Sequence, residues 1–278
     1  MGLLDVYHGT IELLTPLHHG GDEKTGSTPT LRTIVHWDPE RGTHVRLPIL
    51  SGNAIRGLCR RLMVRDFLRE MGYELESRRL WHFLMSGGTL ESTNESSGTV
   101  DLRFRRQLRD TIPLVGLFGG SIGNQIIDGV LQVGHGLPVC AEYRHYLRSE
   151  LESDKRASVS VRTFVDTSFA TRRDDLRERA DDDPAVQMKV DFECLIPGTL
   201  LQHEFRLLNA SDLERAAFGH MVRLWQGYGA VAAKASSGYG RIVAQYDGLP
   251  SPNAYLRYLV DCKREVREFL DELSERLG

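Results

Sequence analysis

The strongest constraint on the fold is the switch from strand to helix periodicity within residues 47–57. Before this segment, alternating apolar side chains predict two strands, 31–37 and 43–49, joined by a short polar turn. After it, Ser51 or Asn53 caps a helix that continues to about residue 70, with apolar residues at three- and four-residue steps. A hairpin that leads directly into an amphipathic helix predicts a mixed α and β domain.

The rest of the chain continues this mixture of strands and helices. Further strands are expected at 3–14, 126–133, 139–147, 157–165, 186–196, 200–208 and 241–247, and further helices at 77–86, 211–228 and near the C-terminus. This order predicts an α+β fold with a ferredoxin-like core, which is also RRM-like, that is, similar to an RNA-recognition motif. We expect a single domain, 1–278, with a helical insertion at about 54–115 and an arm at about 166–187.

Charge is segregated along the chain. The formal net charge of -3 differs from the basic excess of most nucleic-acid-binding proteins. Arginines nevertheless cluster on the helix that follows residue 51, whereas acidic residues concentrate in 174–183 and in the C-terminal helix. The stretch 171–184 is too charged to belong to a core and indicates the projecting arm. A local basic cluster can bind phosphate groups even on a slightly acidic protein.

Membrane and metal-binding classes have no support in the sequence. Neither a run of about 18 apolar residues nor a signal peptide is present, so we expect a cytoplasmic protein without a membrane partner. The four cysteines lie far apart without a C-x-x-C pair, which disfavours a zinc ribbon and a disulfide framework. The sequence therefore predicts no metal and no cofactor.

Three motifs carry a resemblance to a known family. They are the helix-opening segment 47–57, the Leu-Phe-Gly triplet at 117–119 and the glycine-rich segment 236–241. With them the chain resembles the RAMP superfamily of CRISPR-associated proteins, in particular the backbone, or large repeated, subunits of type IV or type III-like effector complexes. The resemblance implies a non-catalytic subunit that binds CRISPR guide RNA and oligomerises along it in an antiviral or anti-plasmid ribonucleoprotein. It also implies complementary target nucleic acid, further copies of the chain and other complex subunits as partners.

The turn at residues 51–53 and the glycine-rich turn at residues 236–240 are candidate phosphate-binding sites. We expect them to lie on the same face of the protein. At the helix start, N–H groups lack internal partners, and Gly52 allows close approach of the backbone. Segment 236–240 offers a second set of N–H groups, while Lys234 and Arg241 supply charge and Tyr239 a face for base stacking. The predicted RNA-binding residues are His18, Ser51, Gly52, Asn53, Arg56, Arg60, Arg61, Lys234, Ser236, Ser237, Tyr239 and Arg241.

The arm resembles the thumb of the backbone subunits, which in the family crosses the guide RNA and displaces a base at regular intervals. The resemblance makes Phe164, Phe169 and Met188 candidates for the displacing wedge, with Arg172 and Arg173 beside them. Contacts to phosphate carry no sequence information, so such a subunit would hold any guide and leave recognition to base pairing.

Two enzymatic alternatives accompany this hypothesis. Target-RNA-cleaving members of the family carry an aspartate just before a proline in the loop after the first strand, whereas residues 26–29 here are Gly-Ser-Thr-Pro. Asp22 lies in the same loop, but one carboxylate without a partner is a poor magnesium site. His18 and His19 are the candidate acid and base of a guide-processing endoribonuclease. A backbone subunit that only binds guide RNA needs no catalytic residue. A target-cleaving subunit would use Asp22, and a guide-processing endoribonuclease would use His18 or His19.

Overall fold

The computed structural model describes residues 4–25, 28–88, 101–122, 125–173, 187–232 and 234–277. Its strands are β1 Leu4–Leu13, β2 Gly20–Thr25, β3 Thr28–Leu31, β4 Thr33–Asp38, β5 Thr43–Pro48, β6 Gly120–Ile122, β7 Gln125–Ile127, β8 Leu131–Val133, β9 Leu137–Pro138, β10 Val165–Arg173, β11 Gln187–Leu195, β12 Leu200–Leu208 and β13 Ile242–Tyr246. Its α-helices are α1 Gly52–Met71, α2 Arg78–Ser86, α3 Leu102–Thr111, α4 Pro113–Phe118, α5 Ser149–Glu152, α6 Asp212–Tyr228, α7 Asn253–Asp261 and α8 Lys263–Leu277.

The central sheet has the strand order β13-β1-β12-β8, and β9 also pairs with β12. Each of these pairings is antiparallel. In the chain, α1 lies between β1 and β8, and α6 lies between β12 and β13. Two β-α-β units are thus interleaved in one sheet, which is the ferredoxin-like arrangement. The predicted α+β class and ferredoxin-like core are confirmed.

The two faces of this sheet differ because successive side chains of a strand point to opposite sides. On β12, His203, Phe205 and Leu207 are buried, whereas Glu204 and Arg206 reach solvent. The ring of Phe205 packs 5.4 Å from that of Phe218, which belongs to α6. The buried face of the sheet therefore packs against the helices. The opposite face, hereafter the open face, is partly exposed to solvent.

Three expectations about elements need correction. The helical insertion was expected from about residue 54, but α1 packs against α6 as a core helix, so the added helices begin at α2. The segments 139–147 and 157–165, expected to be strands, instead contain the 3-10 helices Ala141–Tyr146, Lys155–Ser158 and Val161–Phe164, the second of which is capped by Asp154, whose side chain accepts the Arg156 N–H. The single C-terminal helix is divided into α7 and α8 at Cys262.

Strands β10 and β11 pair along their whole length, from Val165 opposite Leu195 to Arg173 opposite Gln187. They form the stem of the predicted arm, and residues 174–186 lie outside the described part of the chain.

Within the described ranges, no helix has the length and apolarity needed to cross a membrane.

Candidate nucleic-acid interface

The start of α1 is built from a serine cap and a distant histidine. Ser51 Oγ accepts the Ala54 N–H at 3.3 Å, and the Gly52 N–H donates to Nδ1 of His135 at 3.0 Å. An imidazole nitrogen that accepts a hydrogen bond carries no proton, so His135 holds its proton on Nε2. His135 and Asn53 are both exposed. The helix start therefore presents the Nε2–H of His135 and the amide of Asn53 to solvent.

Gly52 has a packing role rather than the predicted contact with RNA. A Cβ atom at this position would lie 2.2 Å from the carbonyl oxygen of Val133 and 2.6 Å from that of Gly134. Gly52 itself is buried. The absence of a side chain allows α1 to begin directly against the end of β8, which corrects the expectation that Gly52 lets the backbone approach a phosphate.

A cleft of about 330 Å³ opens in front of this helix start. It brings Arg32 and Arg46 close to Asn53 and His135, and none of its described lining residues is acidic. The lining residues are Gly21, Leu31, Arg32, Thr33, Ile34, Arg46, Ile49, Ser51, Asn53 and His135. Guanidinium groups next to a helix N-terminus provide both the charge and the donors that an anion such as phosphate requires.

Two further clefts adjoin the first, and we call the three together the basic groove. A cleft of about 290 Å³ shares Leu31, Thr33 and Arg46 with it and extends to the base of the arm. Another of about 360 Å³ shares His135 and extends over the open face. The arginines of the groove are Arg32, Arg46, Arg148, Arg162 and Arg206, against the acidic Glu193 and Glu204. The arginines outnumber the acidic residues that line the groove, so the groove attracts a chain of phosphates.

Two of the arginines expected to bind phosphate are instead directed into the protein. Arg60 is buried and donates to the carbonyl oxygens of Phe118 at 2.7 Å and Gly119 at 3.0 Å. Arg56 donates to the carbonyls of Leu131, at 2.9 Å, and Phe118. Burial, together with the charge of Arg56, lowers the pKa of Arg60 to about 10. Both side chains cap the C-terminal end of α4, which corrects their predicted role.

The histidines after β1 also serve the structure. His18, expected to bind RNA, is buried; its Nδ1 donates to the carbonyl oxygen of Glu193 at 2.8 Å. His19 Nε2 is hydrogen-bonded to Ser51 Oγ at 3.0 Å. Burial and the nearby Arg32 charge lower the pKa of His19 to about 4, so this imidazole is neutral near pH 7. Ser51, itself buried, is held between this histidine and the α1 N-terminus.

The backbone of the glycine-rich loop does not form the expected phosphate site. The N–H groups of residues 237–241 donate to the protein's own oxygens, namely Lys234 O, Ala235 O, Pro16 O and Thr15 Oγ1. Gly240 has φ +70, and a Cβ there would lie 2.1 Å from the carbonyl oxygen of Val231, so close packing requires glycine. The side chains of Ser236, Ser237 and Arg241 are exposed on this loop, and their contact with RNA stays a prediction.

The same loop supports the base of the arm. The ammonium of Lys234 lies 4.5 Å from the ring centre of Phe192, on β11. The hydroxyl of Tyr239 lies 2.8 Å from Ser168 Oγ, on β10, and its ring packs edge-on against Phe192. Tyr239 is thus half-buried against the arm rather than free to stack on a base. The ring of Phe192 in turn lies 4.8 Å from that of His18.

These contacts connect the two predicted turns. The helix start touches His19, the adjacent His18 touches Phe192, and Phe192 touches the glycine-rich loop. The segment 16–20 thus lies between the two turns and contacts both.

The candidate thumb residues have different environments. Phe164 is buried, so the prediction that it forms a wedge is wrong. Phe169 is 59% exposed on the stem, with the Lys189 ammonium 4.8 Å from its ring centre. Arg172 pairs with Met188 in the stem and Arg173 follows, but the side chains of all three lie outside the described residues.

A model of the RAMP superfamily matches residues 10–243. The chain belongs to the RAMP superfamily. Among curated proteins, none gives a significant sequence match. A solved chain described as "Type IV-B CRISPR Complex" is similar in fold, with a TM-score of 0.64 and 21% sequence identity; the match covers 92% of this chain and 100% of that chain.

In this RAMP protein, sequence reasoning missed Arg32, Arg46 and His135. Arg32 and Arg46 lie one on each strand of the predicted hairpin that leads into α1, and this placement was an unused signal. His135 had no such signal, because its hydrogen bond with Gly52 spans 83 residues. Arg61 is exposed on α1, and its contact with RNA stays a prediction.

Among the described residues, no group of three or more His, Cys, Asp or Glu is placed to hold a metal ion. The side chain of Asp22 lies outside the described residues.

Proposed function

We propose that this RAMP protein is a non-catalytic backbone subunit of a CRISPR effector complex and that it holds guide RNA in the basic groove. The observation that carries the proposal is the cleft at the start of α1, where Arg32, Arg46, Asn53 and His135 converge and no lining residue in the described part of the chain is acidic. Similarity to a chain of a type IV-B CRISPR complex supports the assignment to such a complex.

The donors in this cleft suit a phosphate ester. Guanidinium groups form charge-assisted hydrogen bonds with phosphate oxygens, and the neutral Nε2–H of His135 and the amide of Asn53 add donors without a net charge. Such contacts fix the position of the strand and do not read its bases. A subunit of this kind accepts guides of any sequence, and a complementary target is then recognised by base pairing with the guide.

Assembly follows from the extended shape of the ligand. A single RNA strand that runs along the groove of one copy continues into the groove of the next, so copies stack head to tail. This contact is heterologous and does not close, which gives a row whose length depends on the RNA. The projecting β10–β11 arm is the element that we expect to cross the strand, and other subunits would cap the ends of the row.

The contacts of the two histidines support the non-catalytic form of this proposal. A guide-processing enzyme would need an accessible acid and base, whereas His18 is buried against Glu193 and Phe192, and His19 is bound to Ser51. His18 is thus enclosed, and His19 uses its Nε2 within the protein, so the pair is not arranged as an accessible acid and base.

The test is the salt dependence of RNA binding by an Arg32→Ala/Arg46→Ala variant. Fluorescence anisotropy with a labelled single-stranded RNA gives the dissociation constant at several salt concentrations. Loss of two phosphate contacts should lower the slope of log K against log salt by roughly 1.4 and weaken binding by about tenfold or more, equally for unrelated sequences. Arg264→Ala is the matched control, because Arg264 is 93% exposed on α8. An unchanged slope in the double variant would overturn the site.

A further inference from the structure

The hairpin β4–β5 turns one of its two faces toward solvent. Residues directly opposite each other in an antiparallel pair point to the same side, so alternate pairs form a row. The pairs in this row are Thr33 with Pro48, Val35 with Arg46 and Trp37 with His44. Val35 is 62% exposed and Trp37 is 47% exposed, and none of the residues in the row is acidic. We call this row the outer face of the hairpin.

The outer face continues the basic groove. Thr33 and Arg46 line both the cleft at the α1 start and the cleft that extends to the base of the arm, and Pro48 lines the second of these. Trp37 lies on the same strand as Thr33 and about 13 Å beyond it. An RNA strand that leaves the groove along the hairpin therefore passes Arg46 and then reaches Trp37.

Contacts on the inner face fix the position of the hairpin. The ring of His36 packs edge-on against those of Tyr143 and Tyr146, with centroids 5.1 Å and 4.7 Å away. On the outer face, the ring of His44 meets that of Trp37 edge-on at 5.1 Å. The indole of Trp37 is thus supported by its cross-strand partner while nearly half of its surface faces solvent.

We propose that the outer face of the hairpin is a stacking site for one base of the bound RNA, with Trp37 as the platform and Arg46 as the contact of the adjacent phosphate. Every base has a π-face, so stacking on an aromatic ring adds affinity without reading the sequence. The site is therefore compatible with a subunit that accepts guides of any sequence. This proposal rests on the proposed RNA binding and adds a further contact to it.

The competing occupant of an exposed apolar surface is another copy of the chain. RNA is favoured here because the outer face runs on from two clefts of the groove and carries Arg46 without an acidic residue. Positive charge next to an aromatic ring is the combination that single-stranded nucleic acid requires.

The test separates the bases of the RNA from its backbone. It compares a uridine-rich RNA, an adenosine-rich RNA and an RNA of the same length built from abasic ribose. Trp37→Ala should weaken binding of both base-containing RNAs about tenfold, the loss expected for one stacked base. Binding of the abasic RNA and the salt dependence should not change, because Arg46 keeps its phosphate. Trp81→Ala is the matched control, because Trp81 is 44% exposed but lies on α2.

Tryptophan fluorescence gives a second readout that does not depend on the folding of Trp37→Ala. The chain has three tryptophans, of which Trp225 is buried in the core, and Trp81→Phe removes the other exposed one. In this background, a short base-containing RNA should quench the emission of Trp37, whereas the abasic RNA should leave it unchanged.

The outcomes separate this proposal from the proposed function. If the wild-type protein binds none of the RNAs, the proposed function fails. If Trp37→Ala binds the base-containing RNAs as tightly as the wild type, or loses as much affinity for the abasic RNA, the stacking site is overturned while the phosphate groove stands. Normal binding of short RNA by Trp37→Ala with loss of rows on long RNA would place the next copy on this face, which also overturns the stacking site.

Discussion

At the residue scale, the arginines of α1 divide according to what their guanidinium groups contact. Arg60 is enclosed by the carbonyls of Phe118 and Gly119, and its guanidinium lies 5.2 Å from the ring centre of Phe118. Arg61, the next residue, is exposed. Two neighbours of the same type thus have opposite environments, because the helix turns about 100° between them.

We predict that Arg60→Ala lowers the free energy of unfolding by about 2–4 kcal/mol, because it removes a buried guanidinium that donates to the Gly119 carbonyl and shares the Phe118 carbonyl with Arg56. Arg60→Lys should not restore stability, since one ammonium cannot reproduce the planar fork of donors. Urea denaturation followed by circular dichroism measures the loss. Arg61→Ala is the control and should change stability by less than about 0.5 kcal/mol. Normal stability with weakened RNA binding in Arg60→Ala would contradict the structural role.

His203 makes stability depend on pH. It is buried between the Tyr246 hydroxyl, which donates to Nδ1 at 2.6 Å, and the Gly134 carbonyl, which accepts from Nε2 at 3.2 Å. Burial lowers its pKa from 6.5 to about 3. Between these values the unfolded chain binds a proton that the folded protein does not bind, so stability falls as the pH falls below 6.5.

The expected contribution of His203 is a loss of about 2 kcal/mol between pH 7 and pH 5. Urea denaturation at the two pH values measures it. The pKa of His19 is also lowered, to about 4, so His19 too makes the protein less stable as the pH falls. The contribution of His203 is therefore measured by comparing the wild type with a His203 variant. His203→Gln should lose less stability than the wild type over this interval. Equal losses in the two proteins would show that His203 is not held neutral in the fold.

At the element scale, the arm is attached so that it can be shortened without disturbing the core. Ala170 on β10 pairs with Val190 on β11. The contacts to His18, Lys234 and Tyr239 all come from residues nearer the base. A two-residue Asn-Gly turn joining Ala170 to Val190 therefore closes a shorter hairpin in the existing register.

We predict that this shortened protein keeps its urea midpoint and still binds short RNA, but no longer forms regular rows on long RNA. Electron microscopy of complexes on long RNA distinguishes the two proteins. Rows of the same spacing in the shortened protein would show that the arm has no part in assembly.

The elements predicted well are those whose signals are local. Helix α6 begins where Ser211 Oγ accepts the Glu214 N–H and the Glu214 carboxylate accepts the Ser211 N–H, a reciprocal cap that is readable in sequence. The 3-10 helices between β9 and β10 were missed because little of what fixes them is local: only Lys155–Ser158 has a side-chain cap, and the start of Val161–Phe164 is held by the Glu142 carboxylate, which accepts the Val161 N–H across 19 residues. The roles of Arg56 and Arg60 depend on carbonyls about sixty residues away, and no local pattern contains that information.

At the scale of the whole molecule, the interleaved order of the sheet was predictable, whereas the basic groove was not. The groove forms where the hairpin β4–β5, the start of α1, residue His135 and the open face of β12 meet. The hairpin and the start of α1 are adjacent in the chain, but His135 and β12 are distant from them in sequence. Only the start of α1 was recognised as part of the site.

Assembly is the prediction that belongs to this scale. Without RNA the protein should be a monomer, and on RNAs of increasing length the mass of the complex should rise in steps of one protomer. Native mass spectrometry measures the steps, and Arg32→Ala/Arg46→Ala should shift them to higher protein concentration. A dimer of fixed size that ignores RNA length would argue for a closed interface instead.

The location of the RNA can be measured most directly by ultraviolet crosslinking of the bound complex, followed by mass spectrometry of the crosslinked peptides. We predict crosslinks in the segments that line the basic groove, at residues 31–53, 134–148 and 202–206. Crosslinks confined to α7 and α8, with none in these segments, would contradict the proposal that the groove holds the RNA.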